Sequence, residues 1–76
     1  MAGNISYEII SNVGILSTNE SSNWTKELNL ISWNKKEPKY DLRDWSPDHT
    51  RMGKGVTLTN EEVKVLKDML NHIDIK

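Results

Sequence analysis

Apolar and polar positions alternate with a period of two over most of the first 58 residues, and a helical period replaces that alternation only near the end. In residues 7–16, Tyr7, Ile9, Val13 and Ile15 share one parity, the pattern of a half-buried strand. The Ser- and Asn-rich run LSTNESSN has no apolar period and predicts a turn or loop. From Trp24 to Asn34 the strand pattern resumes, with Leu28 and Leu30 on one face and Trp33 on the other. A polar connection closed by Pro38 follows. KYDLRDW then alternates again, with Tyr40 and Leu42 inward and Lys39, Asp41, Arg43 and Trp45 outward. Turn residues fill SPDHTRMGKG, after which Val56 and Leu58 mark a short fourth strand. Thr59, three residues ahead of Glu62, has the spacing of a capping box. Val63, Leu66, Leu70 and Ile73 continue at helical spacing, which predicts a helix from Asn60 to Ile73. Met69 and Val65 broaden its apolar stripe. Four antiparallel strands followed by one helix make an α+β fold in which the helix covers a single side of the sheet. The other side must be solvated or bind something.

Length sharpens this picture. A chain of 76 residues forms one domain, spanning 1–76 with flexible ends expected at 1–6 and 74–76. Such a domain buries only about 60% of its unfolded surface. Disulfides are excluded because there is no cysteine, and with only His49 and His72 a structural metal or other cofactor is not expected. Dimerisation is the remaining way to enlarge the core, through the stripe Val63, Leu66, Met69, Leu70 and Ile73. No apolar stretch approaches the roughly 20 residues that span a bilayer, and the first residues lack the charged and apolar regions of a signal peptide. A cytoplasmic protein without membrane contact is therefore expected.

The net charge is −1, but it is unevenly spread. Residues 1–32 carry −2 and residues 59–76 carry −1, whereas 33–58 carry +2. The mild central surplus belongs to the stretch that contains the strand whose outward face presents Lys39, Arg43 and Trp45, with Trp33 on the same side. Flat indoles beside cations are what a single-stranded nucleic acid requires, since bases stack on aromatics and phosphates need Lys or Arg. Large aromatics are more often internal, so a purely structural role for Trp33 and Trp45 stays open. An enzyme is not expected: there is no cysteine nucleophile and no recognisable serine elbow. Asp48 and His49 are adjacent in a turn, the setting of a solvated pair. His72, near the helix C-terminus, suits the helix dipole.

Asp41-Leu42-Arg43, followed by Lys54-Gly55-Val56-Thr57-Leu58 and a helix, resembles the most characteristic part of the positive-cofactor-four family of transcriptional coactivators. The resemblance runs from Trp24 to Leu70 with a small insertion near 34–37, and the compact bacterial YdbC-like members are the most similar. It implies a curved four-stranded antiparallel sheet and C-terminal helix, paired as a homodimer whose ridges hold two antiparallel single strands. By that resemblance Trp33 stacks on a base, Lys35 and Lys36 belong to a basic hairpin, and Arg43 contacts the backbone. Trp45 lies at or beside a second stacking aromatic, Lys54 is the basic residue before the fourth strand, and Lys26 is a further basic position. The implied function is sequence-independent single-stranded DNA binding in support of transcription, replication or repair, in the bacterial cytosol and associated with the nucleoid. RNA is the alternative ligand, and the transcription or replication machinery a further partner. The chain departs from the family in having fewer bases and four acids around the sheet. A protein-interaction module, holding a peptide or polymerase subunit on the same face, is the competing reading.

Overall fold

The computed structural model describes residues 5–75. Four strands, β1 (Tyr7–Thr18), β2 (Thr25–Trp33), β3 (Lys39–Trp45) and β4 (Met52–Leu58), form one antiparallel sheet in the order β1-β2-β3-β4, and the helix α1 (Asn60–His72) follows. This is the expected β-β-β-β-α fold. The helix starts where the sequence places it: Thr59 Oγ1 accepts from the Glu62 amide at 3.1 Å, and the Thr59 amide donates to Glu62 Oε1 at 2.8 Å. Removing such a cap costs about 1 kcal/mol. The helix is neither long nor apolar enough to cross a membrane.

Turn chemistry fixes the β2–β3 hairpin. Asn34 and Lys35 both have positive φ (51° and 62°), and the Lys36 amide donates to the Trp33 carbonyl at 2.9 Å. That is the geometry of a primed turn, whose twist matches the strands it joins. Ser6 is tied to the same corner, its amide donating to Asn34 Oδ1 at 3.1 Å and its carbonyl accepting from the Asn34 amide at 2.7 Å.

β1 departs from simple alternation. Its partners advance three residues for every two on β2: Ile9 faces Ile31, Asn12 faces Asn29, Ile15 faces Glu27 and Thr18 faces Thr25. Ile10, Val13 and Leu16 are the extra residues, and all three are exposed. Each bulge bends and twists the strand. Val13 therefore does not share a face with Tyr7, Ile9 and Ile15, as the period of two had predicted; Asn12 takes that place. β4 begins at Met52, within the run read as a turn, because Met52 pairs with Trp45 across a further irregularity.

The faces of the sheet are the reverse of the expectation. Leu28, Leu30, Tyr40 and Leu42, expected to be internal, are only half-buried. On the opposite face, expected to be outward, Glu27, Asn29, Ile31, Asp41 and Trp45 are buried. The reason is curvature. The bulged β1 and the β3–β4 loop curl over the polar face and close it, whereas α1 touches only β3 and β4 and leaves the apolar face thinly covered. No helical residue is buried, and Leu66, Met69 and Leu70 are 39–58% exposed.

Candidate functional site

The closed face of the sheet is built from β2 and β3 side chains of one parity. At its centre, the fully buried Asp41 takes two hydrogen bonds from Arg43, Nε to Oδ1 at 2.6 Å and an Nη to Oδ2 at 2.8 Å, and a third from Thr57 Oγ1 at 3.0 Å. A bidentate pair of this kind satisfies carboxylate and guanidinium together. The remaining Nη of Arg43 donates to the Gly53 carbonyl at 3.3 Å, and the guanidinium carbon lies 4.9 Å from the centre of the Trp33 ring. Gly55 makes room for it: a Cβ there would lie 2.5 Å from the Leu42 carbonyl oxygen and 2.9 Å from Arg43 Nε. Asp-Leu-Arg and Lys-Gly are thus two halves of one packing arrangement.

Aromatic rings continue the face. Tyr7 leans on Trp33 and on Trp45, each at 5.6 Å between centroids, and His49 stacks on Trp45 at 5.5 Å. Trp45 is fully buried by this enclosure, so it presents no open face to a base, and the stacking role expected for it is corrected to a core role. Trp33, at the strand end, is only half-buried, in contrast to Trp45. The indole N–H groups of both tryptophans are buried without an acceptor among the described residues.

A polar network, not anticipated from the sequence, lies beside Trp45. Glu27 is 2% exposed; its Oε2 accepts from Thr25 Oγ1 at 2.5 Å and from His49 Nε2 at 2.9 Å, and its Oε1 from Asn29 at 3.2 Å. Asn12 reaches in from β1, donating to Asn29 Oδ1 at 2.6 Å. Burial pushes the Glu27 carboxyl up, but the hydrogen bonds from Thr25, Asn29 and His49, with the charge of His49, outweigh it and hold the group below the usual carboxylate range. The signal was present: Glu27 and Asn29 share the parity of Ile31 and Trp33. His49, with φ of 60°, is turned toward Glu27 and not toward Asp48. Asp48 instead organises its own turn: hydrogen bonds from the side chain and amide of Thr50 and from Ser46 Oγ lower its pKa to about 2. His72 donates to the Asp68 carbonyl at 2.7 Å in the last helical turn.

The expected cations are divided. Lys35 and Lys36 occupy the turn next to Trp33, and Lys39 is exposed on the same face, opposite Ile31. Arg43 adjoins the Trp33 ring, although its side chain is only 15% exposed. Lys26 and Lys54 have the parity of Leu42 and lie on the other face, bordering a depression also lined by Leu42, Arg43, Asp44 and Val56. Among the described residues no group of three or more His, Cys, Asp or Glu side chains could hold a metal. The site brings together aromatic rings and cations.

A protein of Treponema pallidum (strain Nichols), described as uncharacterized, is 51% identical over 69 residues, covering 91% of this chain and 80% of that protein. The model of the family Transcriptional Coactivator p15 (PC4) matches residues 21–69, which include β2, β3, β4 and most of α1. The chain belongs to the PC4 transcriptional coactivator family.

Proposed function

We propose that the protein is a homodimeric, sequence-independent single-stranded DNA-binding protein, without catalytic activity of its own, that supports transcription, replication or repair. The observation that carries this reading is the half-buried Trp33 at the end of β2, with Arg43 at 4.9 Å on its ring and the lysines of a rigid turn directly after it. Bases stack on Trp33, and Lys35, Lys36 and Lys39 neutralise phosphates, with the open part of Arg43 beside the ring. The apolar stripe of Val63, Leu66, Met69, Leu70 and Ile73, most of it exposed in the single chain, forms the dimer contact.

Titrating single-stranded DNA, single-stranded RNA and blunt duplex of equal length tests the reading. Single strands bind much more tightly than duplex, whose base faces are already stacked, and base composition matters little. Trp33→Ala weakens binding by about 1–3 kcal/mol at every salt concentration, the range for one stacked base. Lys36→Ala instead makes the slope of log K against log salt shallower by about 0.7, the value for one phosphate on a single strand. Equal affinity for duplex, or a Trp33→Ala protein that is folded and binds undiminished, refutes it. A peptide or polymerase subunit bound on this face in place of DNA would establish the interaction-module alternative.

A further inference from the structure

Trp24, the third tryptophan of the chain, lies at the other end of β2 from Trp33, at the β1–β2 hairpin. Nine residue steps at strand rise put the two indoles about 30 Å apart along the strand. The turn holds Trp24 rigidly by its backbone. Its carbonyl accepts from the Asn19 amide at 2.7 Å, its amide donates to Ser22 Oγ at 3.3 Å, and the preceding Asn23 is left-handed, with φ of 64°. Its ring borders an open depression of about 570 Å³ lined otherwise by polar groups of the hairpin, among them Ser17 and Asn19, and by Lys26 and Asp44. Arg51, from the β3–β4 loop, places its guanidinium carbon 6.0 Å from the centre of the ring. The Arg51 backbone is itself anchored, its carbonyl accepting from the Ser46 amide at 2.9 Å and its amide donating to Ser46 Oγ at 3.0 Å.

The charge balance distinguishes this corner from the Trp33 surface. Arg43 is largely neutralised by Asp41, whereas neither Lys26 nor Arg51 makes an ion pair among the described residues. Lys26 lines the depression beside the half-buried indole, with Asp44 as its cross-strand neighbour, and Arg51 adds a second cation at the ring, so the corner carries a net positive charge of one. That set offers a ring for a base, positive charge for a phosphate, and hydroxyl and amide groups for sugar and base edges.

The geometry points to a second nucleotide-binding subsite at the β1–β2 hairpin, in which Trp24 stacks on a base of a single strand while Arg51 and Lys26 face its phosphates. The inference rests on the single-stranded DNA reading above and extends it to the far end and opposite face of the sheet. Trp24 stacking makes a long strand bind more tightly than Trp33 alone allows.

The test uses the full chain and single-stranded oligonucleotides of about 4 and about 16 nucleotides, spanning the usual site sizes of a single-strand-binding fold. Trp24→Ala is expected to weaken binding of the long oligonucleotide by about 5- to 150-fold, the equivalent of one lost stack. It is also expected to reduce the number of short oligonucleotides bound per chain. Trp24→Phe, which keeps a stacking face, restores most of the affinity. Arg51→Glu, an exposed change with little consequence for folding, weakens long-strand binding most at low salt; it keeps the proposal testable if Trp24→Ala proves unfolded by circular dichroism. Undiminished long-strand binding by a folded Trp24→Ala or by Arg51→Glu, while Trp33→Ala binds weakly, overturns this subsite and leaves the Trp33 reading intact. A wild-type chain that binds no single strand overturns both.

Discussion

Arg43 and Trp45 are residues whose types suggest ligand contact and whose surroundings make them part of the core. Asp41 is fully buried, and Arg43 supplies two of its three side-chain hydrogen bonds. Breaking a buried pair costs about 3–5 kcal/mol because the surviving charge is left uncompensated. A chain of this length has a total stability of only roughly 4–11 kcal/mol. Arg43→Ala is therefore expected to lower the melting temperature far more than it changes the salt dependence of DNA binding, and Arg43→Lys, which cannot form the fork, should rescue little. Trp45→Ala should likewise cost about 3–5 kcal/mol of stability, whereas Trp33→Ala should melt close to wild type. Thermal unfolding and affinity measured on the same variants separate the two classes. Parity along β3 correctly placed Lys39, Asp41, Arg43 and Trp45 on one face. It carried no information on what lies over that face, because the cover comes from Tyr7, which is distant in sequence, and from His49, whose left-handed backbone turns the following loop back over the sheet.

Among the elements, the β3–β4 loop is the one whose role the chain least discloses. SPDHTR reads as a turn, and it is one, yet it also brings His49 to the buried Glu27 and stacks it on Trp45. Glu27 has a lowered pKa in the folded state, so the stability it contributes is complete above its unfolded pKa and is lost as the pH falls through the folded value. The expected result is a melting temperature that declines as acid is added below about pH 4.3, the ordinary range of a glutamate. Glu27→Gln should be less stable at neutral pH and flatter through that acid window; a wild-type and variant pair with parallel profiles would show that the network is not what responds. α1 was legible almost to the residue, because cap, period and polar face all agree within thirteen positions. β1 was legible as a strand but not as a surface. Bulges at Ile10, Val13 and Leu16 shift the period from two to three, and nothing local to those residues announces it.

At the scale of the whole molecule, the helix and the apolar face of the sheet are incompletely used. Val65, Leu66, Met69, Leu70 and Ile73 are all between 39% and 58% exposed and recur at helical spacing as one apolar stripe, and Val56 on β4 is exposed as well. The proposed homodimer would bury that stripe in a symmetric contact. Met69→Glu is expected to convert a dimer to monomer or to an unfolded chain, with sedimentation velocity reading the mass and circular dichroism the fold. A wild-type chain that sediments as a stable, folded monomer at micromolar concentration would end the dimer reading. On the proposed dimeric reading, single-strand binding should fall when the dimer is lost.

The strand order leaves β1 as one edge of the sheet, twelve residues long, with Ile10, Val13 and Leu16 open to solvent. A flat apolar edge of that length would be a template for strand addition by another molecule and a seed for fibrils. The three bulges interrupt its row of free amides and carbonyls every few residues, so an incoming straight strand finds no continuous register to join. The bends that wrap β1 over the polar face thereby also protect the protein from self-association along its own backbone.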